Sequence, residues 1–568
     1  KFPAFIDKYA GKDLKAMGFG KKQFLTPLKD IHLRSGMNGN VTTPGSMTYL
    51  YILASIALFT LLIACINFMN LSTARSSKRS AEVGIRKVLG AERGSLIRQF
   101  LGESVFMSLI AFAFAFTITE LFLPAFNSVS RKNLSLSFTD NMLIIAAFFL
   151  LSLVTGLFAG TYPAFYLSSF RPIKVLKGRF TNSLAAVSLR KGLVVFQFII
   201  SVVLIIASVV ISSQMNYLRS ANLGFEKERQ VIIPLRSGTA RNIYTSFRNE
   251  LARQPQVLGV GASAYYPGIG NPSDNLYYKE GQTMNDAKRT RINFVDAGYL
   301  KTLDLKPVAG RLFSQEFPAD TNFRVIVNET AVKEIGLGTP QEAVNKKVYF
   351  DYQGTQYGFE IIGVVKDFHF EDMHLPIAPY AYQLNSTSNN FNYMMVHARQ
   401  GDMNSLLKSV EASWHKLNPN EPFEYSFLDD DFQKNYDAET RLSSIVGYFT
   451  LIAILICCLG LFGLATFSAE QRIKEIGVRK VLGASVTGIV TLLSKDFLKL
   501  VLIAIVIASP LAWYVMHRWL QDFAYRVDIN WWVFLLAGII AAAIAFVTIS
   551  FQAIKAANAN PVKSLRTE

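Results

Sequence analysis

Charged residues are scarce in this sequence of 568 residues, since Asp, Glu, Lys and Arg together make up 17% of it. Soluble globular proteins carry about 25% charged residues. Hydrophobic residues account for 51%, so the composition favours a membrane protein. The formal net charge is +17, and the position of the basic residues decides between a nucleic-acid binder and a membrane protein.

Cysteine is also scarce. The three cysteines, Cys65, Cys457 and Cys458, all fall within apolar runs, and the long polar segments contain none. A disulfide framework or a cysteine-based metal site is therefore excluded in those polar segments.

A phosphate-binding loop of the form G-x-x-x-x-G-K-[ST] does not occur in this sequence. Such a loop uses glycine backbone amides and a lysine to hold nucleotide phosphates. No pairing of a nucleophile with a base stands out either. We therefore expect a non-catalytic chain without a cofactor of its own, and we expect ATP and Mg²⁺ to be held by a partner protein.

Seven apolar runs are long enough to cross a membrane, which takes roughly 20 residues in a helix. Such a number of uninterrupted runs is atypical of a soluble core. The predicted spans are Met47–Ala74, Gly102–Pro124, Asn141–Leu167, Leu193–Ser213, Leu442–Ser468, Phe497–Met516 and Trp531–Ala553.

The basic residues concentrate in alternate loops, which predicts the orientation because cytoplasmic loops are enriched in Lys and Arg. The loops after the first, third and fifth spans are basic, whereas those after the second and sixth balance their charges. We expect the basic loops and the C-terminus in the cytoplasm, and no nucleic acid as a partner. Residues 1–46 and 214–441 then lie outside. That arrangement needs an export signal or a preceding span, and the sequence contains neither. We therefore expect that an N-terminal span is missing here and that the full-length protein has eight spans.

A ten-residue motif occurs twice. Glu82–Ala91 reads EVGIRKVLGA, and Glu475–Ala484 reads EIGVRKVLGA, at an offset of 393 residues (475 − 82 = 393). Eight of the ten positions are identical. Near the ends of the two copies, 171–174 resembles 560–563 at an offset of 389 (560 − 171 = 389). The sequence therefore predicts two copies of a three-span unit, with the fourth span between them.

The repeated motif has the pattern of a short amphipathic helix along the cytoplasmic membrane face. Ile85, Val88 and Leu89 have the i, i+3, i+4 spacing of one helix face. Glu82 and Arg86 are i, i+4 partners, worth about 0.2–0.5 kcal/mol. Gly90, like its counterpart Gly483, suits a helix end with positive φ.

Two interpretations of this helix are open. A membrane anchor needs only basic residues in any order, whereas a helix that docks on a cytoplasmic partner needs a fixed arrangement of charged, small and apolar residues. The close repetition favours docking. The candidate docking residues are Glu82, Gly84, Arg86, Lys87, Gly90 and Ala91 in the first copy and Glu475, Gly477, Arg479, Lys480, Gly483 and Ala484 in the second.

With this motif the sequence resembles the MacB/FtsX-type permeases of ABC transporters, in particular the long two-unit form of Bacteroidetes. Further segments that carry the resemblance are Leu25–His32, Val364–Phe370, Phe294–Arg311 and Val325–Val332, the last two of which look like the family's periplasmic core domain. The resemblance implies an inner-membrane protein that works with a cytoplasmic ATPase dimer. It also implies contact with membrane lipid, and a periplasmic adaptor or an outer-membrane channel as further partners.

The predicted organisation has five segments. They are the end of a first periplasmic domain (1–46), a three-span unit (47–190), the fourth span (191–213), a periplasmic core domain with stalk helices (214–441) and a second three-span unit with a cytoplasmic tail (442–568).

The sequence of residues 214–441 alternates between strand-like and helix-like patterns, which predicts a mixed α/β domain. Its expected strands are Val231–Leu235, Val325–Asn328, Phe359–Val365, Tyr393–Ala398 and Phe423–Phe427, and its expected helices are Arg241–Arg253, Glu329–Ile335 and Met403–Leu417. Gln214–Asn222 and Asp431–Leu442 are expected as polar stalk helices. His369 and His374 lie near three acidic residues, but their spacing matches no metal signature, so we expect no metal.

Three functions fit these features to different degrees. The leading hypothesis is a mechanotransmitting permease that exports a peptide, a lipophilic compound or a lipoprotein. The alternative is a transmembrane regulator that relays the state of the ATPase to a periplasmic partner, such as a cell-wall hydrolase, without transport. A proton-coupled carrier is disfavoured because ionisable residues within the spans, which mark ion paths, are few.

Overall fold

The computed structural model describes residues 2–16, 25–34, 47–137, 139–169, 184–385 and 387–558. The predicted basic loop at 170–183 and the tail at 559–568 lie outside these residues. The chain forms two compact units, which we call the outer unit and the helical unit. The outer unit comprises Lys1–Ser46, Asn216–Ala438 and Gln521–Arg526, and the helical unit comprises Met47–Met215, Glu439–Leu520 and Val527–Glu568.

Seven helices in the described part of the chain are long and apolar enough to cross a membrane, which confirms the seven predicted spans. Since no water satisfies backbone groups in a bilayer, such runs must be helical. The helices extend beyond the apolar cores that the sequence marks. From the first span to the seventh they are Met47–Val88, Arg93–Ser130, Met142–Ser168, Leu184–Ser220, Asp437–Gln471, Val486–Leu520 and Trp531–Ala557.

Small residues let neighbouring spans approach closely, as is usual in membrane helix packing. The second and third spans meet where Gly156 lies against Ser108 and Gly160 against Ser104, with no room for a Cβ at either glycine. The hydroxyl of Ser108 donates to the carbonyl oxygen of Ser152 at 2.7 Å, and that of Ser152 donates back to Ser108 at 3.3 Å. This reciprocal pair fixes the register of the two helices.

The outer unit contains eleven strands in one sheet. In chain order they are β1 (Gln230–Pro234), β2 (Val257–Ser263), β3 (Asp274–Lys279), β4 (Lys288–Val295), β5 (Pro307–Gly310), β6 (Arg324–Asn328), β7 (Lys347–Tyr352), β8 (Thr355–Val365), β9 (Tyr380–Leu384), β10 (Tyr393–Ala398) and β11 (Ser426–Phe427).

Six of these strands close into a ring, in the order β4-β3-β7-β8-β6-β9 and back to β4. The closing pair, β4 with β9, is parallel and sets Ile292 beside Ala381. From β4 the sheet continues as β2-β10-β1-β11 in antiparallel pairs. The strand β5 adds to β8. Ring closure gives each of these six strands a partner on both sides, whereas unpaired strand edges invite aggregation.

Short helices complete the outer unit. They are Phe2–Ala16, Leu28–Arg34, Gly238–Asn242, Tyr244–Leu251, Tyr299–Thr302, Glu329–Ile335, Pro340–Ala343, Met403–Leu417 and Leu428–Lys434, with 3₁₀ turns at Met284–Asp286, Pro318–Thr321 and Ser388–Asn390. Two of them, Tyr244–Leu251 and Met403–Leu417, share a buried cluster with β1, β2 and β10. The rings of Phe247 and Trp414 meet edge to face at 5.5 Å within it, a geometry that adds to simple burial.

Most predicted elements of the outer unit are confirmed, and three are corrected. The predicted strand Phe423–Phe427 is paired only at Ser426–Phe427. The predicted helix Arg241–Arg253 is two helices that meet at Ile243. The polar helix expected from Asp431 into the fifth span is interrupted after Lys434 and resumes at Asp437. In this gap Tyr436 is buried and its hydroxyl accepts from the amide of Met373 at 2.9 Å, so tertiary contacts override the helical pattern.

The connection between the sixth and seventh spans packs within the outer unit. The amide of Ala524 donates to the carbonyl oxygen of His374 at 3.2 Å, and that of Tyr525 donates to Met373 at 3.3 Å. The ring of Phe523 stacks on His374 with centroids 4.5 Å apart. Residues Gln521–Arg526 therefore pack as part of the outer unit through backbone hydrogen bonds and aromatic contacts.

Candidate functional site

The two repeated motifs lie in the helical unit, and their helices differ. In the second copy the motif forms a separate helix, Ile473–Val481, after a break at Arg472. In the first copy it is the end of the continuous 42-residue helix Met47–Val88. The expectation of a separate short helix is therefore correct for the second copy and wrong for the first, where the first span continues without a break.

Both motifs end in the same turn. Gly90 has φ 95° and Gly483 has φ 87°, as the sequence predicts. The amide of Ala91 donates to the carbonyl oxygen of Arg86, and that of Ala484 donates to Arg479, each at 2.9 Å. Together with the bonds from Gly90 to Lys87 and from Gly483 to Lys480, this is the Schellman pattern of helix ends. The motif thus encodes a sharp stop.

The predicted ion pairs form in both copies. Glu82 contacts Arg86, and Glu475 contacts Arg479, each at 2.8 Å between side-chain nitrogen and oxygen. All four side chains are more than one-third exposed, so the pairs add little stability. Their effect is to hold both arginines at a fixed place on the helix surface.

Sequence reasoning missed the role of the motif lysines. Lys87 donates through Nζ to the carbonyl oxygen of Ser168 at 2.6 Å, and Lys480 donates to that of Ala557. Ser168 and Ala557 are the last residues of the third and seventh spans, where carbonyls lack helical partners. Burial and the nearby Arg93 lower the pKa of Lys87. Each lysine therefore ties its motif to the end of another span.

The sequence contained one sign that the two lysine bonds are equivalent. Ser168 and Ala557 are 389 positions apart (557 − 168 = 389), which is the offset already found between 171–174 and 560–563. The third and seventh spans also begin at that offset, at Met142 and Trp531. Equivalent lysines thus meet equivalent carbonyls.

The motifs are anchored by equivalent buried clusters. Val83 packs with Leu96, Phe100 and Ala164, and the second cluster has the equivalent residues Ile476, Ile489, Leu493 and Ala553. Gly84 and Gly477 are buried too. One face of each motif is therefore fixed to the helical unit.

Among the residues that the structure describes, nothing covers the opposite apolar stripe. Leu89 and Leu482 are 81% and 80% exposed. Their stripe neighbours Ile85, Val88, Val478 and Val481 are exposed as well. The motif therefore presents an apolar surface, flanked by a positioned arginine, in both copies. Burial of such a surface supplies binding energy in most protein associations.

The histidines that invited a metal hypothesis have other contacts. His374 Nδ1 lies 2.9 Å from Asp372 Oδ1, and the ring of His369 meets that of Tyr525 at 4.5 Å. Within the described ranges, no three His, Cys, Asp or Glu side chains are grouped so that they could hold a metal ion. Both histidines serve the packing of Gln521–Arg526 on the outer unit.

Two family models match the chain. The model of the FtsX-like permease C-terminal domain matches residues 54–172 and again 447–561. The model of the MacB-like periplasmic core domain matches residues 191–412. The double match supports the internal repeat, and together the two models cover most of the chain.

Curated relatives match over a shorter stretch. The macrolide export ATP-binding/permease protein MacB of Bradyrhizobium diazoefficiens is 33% identical over 142 residues, which are 24% of this chain and 20% of the relative. MacB of Escherichia coli K12 is 28% identical over 170 residues, 29% of this chain and 24% of the relative. The chain therefore spans less than a quarter of the length of these relatives.

Among solved structures, the periplasmic region of MacB from Actinobacillus actinomycetemcomitans is 18% identical, with 38% of this chain and 97% of that chain covered at a TM-score of 0.28. A permease domain from Porphyromonas gingivalis is 14% identical, with 36% and 92% covered at a TM-score of 0.27. The family assignment rests on the two family models and on the paired motif. The chain belongs to the MacB/FtsX-type permeases of ABC transporters, and it is a multi-pass protein of the inner membrane.

Proposed function

We propose that this chain is the membrane subunit of an ABC transporter in which a separate cytoplasmic ATPase dimer docks on the two motifs. The observation that carries the proposal is the exposed apolar stripe, which recurs at equivalent positions on two otherwise anchored segments. An isolated exposed leucine is ordinary. Two equivalent stripes, each beside an arginine held by an ion pair, suit the two faces of a dimeric partner.

The connection Gln521–Arg526 supports a mechanical role for the membrane subunit. It links the sixth and seventh spans in sequence, yet its backbone bonds and its aromatic contacts lie in the outer unit. Movement of the two last spans would therefore act directly on the outer unit. On this proposal the motifs and the C-terminus are cytoplasmic and the outer unit is periplasmic, where its movement exports a substrate or transfers it to an adaptor or an outer-membrane channel.

The substrate class that fits best is a lipophilic compound, a peptide or a lipoprotein. The spans are apolar, and ionisable groups that would form a polar path are few in them. The curated relatives are named for macrolide export, which favours a lipophilic compound. A regulator of a cell-wall hydrolase would use the same docking and the same movement without transport.

The docking proposal is tested by Leu89→Asp together with Leu482→Asp in the full chain. Both leucines are about four-fifths exposed, so the variant should fold normally. We expect it to lose the co-purifying ATPase, because each aspartate places a charge where the partner buries apolar surface. Reversing Arg86 and Arg479 together to glutamate should have the same effect.

The matched control is Leu258→Asp together with Val308→Asp, which changes two exposed apolar residues of the outer unit. This control should retain the ATPase. Recovery of the ATPase at the wild-type level with the double motif variant would contradict the proposal. An ATPase stimulated by lipophilic compounds would favour export, whereas one that responds only to a wall hydrolase would favour the regulator.

A further inference from the structure

Arg190 lies near the start of the fourth span, on the face that packs against other helices. Val194, Gln197 and Ser201 follow it at the i+4, i+7 and i+11 spacing of that face, and all three are buried. The Nε atom of Arg190 is buried too and has no hydrogen-bond partner among the described residues. Burying an ionised group without a partner costs free energy, so this guanidinium is a candidate for binding an anionic ligand.

Aromatic side chains of two other spans surround the guanidinium. Its carbon lies 5.6 Å from the ring centroid of Phe467, near the end of the fifth span. The phenols of Tyr162 and Tyr166, on the third span, interact with it electrostatically, and their rings stack with centroids 5.9 Å apart. Tyrosine is enriched at the level of the lipid headgroups. We call Arg190 with these three aromatic residues the arginine corner.

No carboxylate among the described residues is paired with Arg190. Glu470 lies one turn beyond Phe467, but it is not among the groups that interact electrostatically with the guanidinium. Residues 170–183, which connect the third and fourth spans, include four Lys or Arg and no Asp or Glu. Lys191 adds an exposed positive charge. The chain therefore leaves the charge of the arginine corner unbalanced, and that charge favours an anion.

The arginine corner borders apolar surface on both of its neighbouring helices. Leu189 of the fourth span is 45% exposed, and Phe165 of the third span is 48% exposed. Exposed apolar side chains of a membrane span face lipid, since no water is present there. Arg190 itself is half-buried, so part of it stays accessible. A lipid that packs along these two helices thus brings its headgroup to the arginine corner.

The repeat shows that this surface is formed by spans that the sequence contains. Tyr162 corresponds to Phe551 (162 + 389 = 551), and Phe467 corresponds to Ala74 (467 − 393 = 74). A span equivalent to the fourth would lie at that second corner, beside Phe551 and Ala74. The open surface at Arg190 therefore does not depend on residues upstream of this sequence.

We infer that Arg190 binds the phosphate of an anionic phospholipid, with the hydroxyl groups of Tyr162 and Tyr166 and the ammonium group of Lys191 as further donors. A guanidinium presents a fork of donors that fits two phosphate oxygens. The additional charge of Lys191 favours a lipid of net negative charge over a zwitterionic one. Basic pockets between spans bind such headgroups in other membrane proteins. The arginine corner is separate from the exposed stripes of the motifs, and the inference does not rest on ATPase docking.

The first test titrates the delipidated full chain in detergent with phosphatidylglycerol or with phosphatidylethanolamine and measures binding by native mass spectrometry. The wild type should prefer phosphatidylglycerol. We expect Arg190→Met to weaken the first phosphatidylglycerol by about tenfold or more, the effect of losing a hydrogen bond to a charged group. Arg190→Lys, which keeps the charge without the fork, should weaken it less. Equal affinity in the wild type and Arg190→Met would overturn the inference.

The matched control is Lys495→Gln, which removes the same charge from an exposed residue at the start of the sixth span, beside Asp496. This variant should bind phosphatidylglycerol as the wild type does. Inorganic phosphate, in large molar excess over lipid, distinguishes a lipid from a soluble anion. The lipid should remain bound. Its displacement would show that the arginine corner takes free phosphate, and would overturn the assignment to a lipid.

A second measurement uses the wild type alone, so it does not depend on the folding of a variant. Phenylglyoxal modifies accessible arginine side chains, and peptide mass spectrometry gives the rate at each arginine. In nanodiscs of phosphatidylcholine, added phosphatidylglycerol should slow the modification of Arg190. Arg472, which pairs with Asp496 at 3.3 Å, is the internal control and should react equally in both. Equal rates at Arg190 would overturn the inference, without bearing on ATPase docking.

Discussion

Asn67 packs against Gly460, which is the residue equivalent to Asn67 in the second copy of the repeat (460 − 67 = 393). The side-chain amide of Asn67 donates to the carbonyl oxygen of Ile456 at 2.5 Å. One helical turn on, Leu71 packs over Gly463. In a two-fold arrangement, equivalent residues meet each other only near the axis. The first and fifth spans therefore cross at the approximate axis that relates the two copies.

This crossing predicts the effect of a methyl group at Gly460. A Cβ there would overlap with the amide group of Asn67, and overpacking of this kind costs about 1–3 kcal/mol. We expect Gly460→Ala to lower the midpoint of thermal unfolding in detergent. Gly447→Ala on the same helix is the control, because its Cβ would meet only Ser208 Oγ at 4.0 Å. Adding Asn67→Ala to Gly460→Ala should restore part of the loss, and its failure to do so would place the clash elsewhere.

The turn at the end of the motif makes a second prediction. Gly90 has φ 95°, and a left-handed conformation costs an alanine roughly 1–2 kcal/mol. We expect Gly90→Ala to speed amide exchange across Glu82–Ala91, whereas Gly90→Asn should do so less because Asn tolerates this conformation. Gly94→Ala is the matched control, since its Cβ would also meet open space but its φ is not in the left-handed range. Equal exchange in Gly90→Ala and in the wild type would contradict the prediction.

The lysine bond to the end of the seventh span is testable by isosteric removal of the donor. Lys480→Met keeps the apolar stem but leaves the carbonyl oxygen of Ala557 without this partner, and a typical hydrogen bond contributes about 0.5–1.5 kcal/mol. Amide exchange should rise in Ile473–Val481 and in the last turn of the seventh span. Lys480→Arg, which retains a donor, should exchange more slowly than Lys480→Met. If the two variants exchange alike, the bond does not hold the motif.

The outer unit should lose stability in mild acid through His369. Burial lowers the pKa of His369 against the opposing effect of Asp367, and burial likewise lowers the pKa of His397. A histidine with a lowered folded-state pKa binds fewer protons than it does in the unfolded chain, so stability falls as the pH drops below about 6.5. The neighbouring Asp372 is not a source of this loss of stability. Burial raises the pKa of Asp372, but its hydrogen bonds and its charge interaction with His374 outweigh burial, so the net pKa is lowered. The stability that ionised Asp372 supplies is therefore lost only at a more acidic pH.

The measurement is the thermal unfolding midpoint between pH 7.5 and pH 5.5 for the wild type and for His369→Phe. In the wild type the ring centroids of His369 and Tyr525 are 4.5 Å apart. Phenylalanine retains a ring in this place but cannot take up a proton. We expect the midpoint of His369→Phe to decrease less than that of the wild type, and we attribute the remaining decrease to His397. His415→Phe on the exposed side of Met403–Leu417 is the control. A decrease equal to that of the wild type would exclude His369 as a source.

Local patterns in the sequence predicted the elements whose formation depends on neighbouring residues. The seven spans followed from apolar length, since a run of that length can satisfy its backbone in a bilayer only as a helix. The Schellman turn followed from Gly90 and Gly483, and the i, i+4 pairs from Glu82 and Glu475. In the outer unit, β10 and the helix Met403–Leu417 were predicted at their observed bounds.

Elements that depend on distant partners were not predictable. The strands β2, β3, β4, β7 and β9 lack the strict alternation of a half-buried strand, and the ring that they form closes through a parallel pair between β4 and β9. The first-copy motif continues the first span, although nearly the same ten residues follow a break in the second. An almost identical local sequence therefore adopts two arrangements, which only its surroundings can decide.

The sequence by itself thus determined the family, the two copies of the three-span unit, the apolar spans and the helix stops, because each is set by composition or by spacing over a few turns. Tertiary structure alone decided that Asn67 meets Gly460 and that Lys480 reaches the end of the seventh span. The physical reason is that packing depends on which helices come together, and side chains hundreds of residues apart share no local signal.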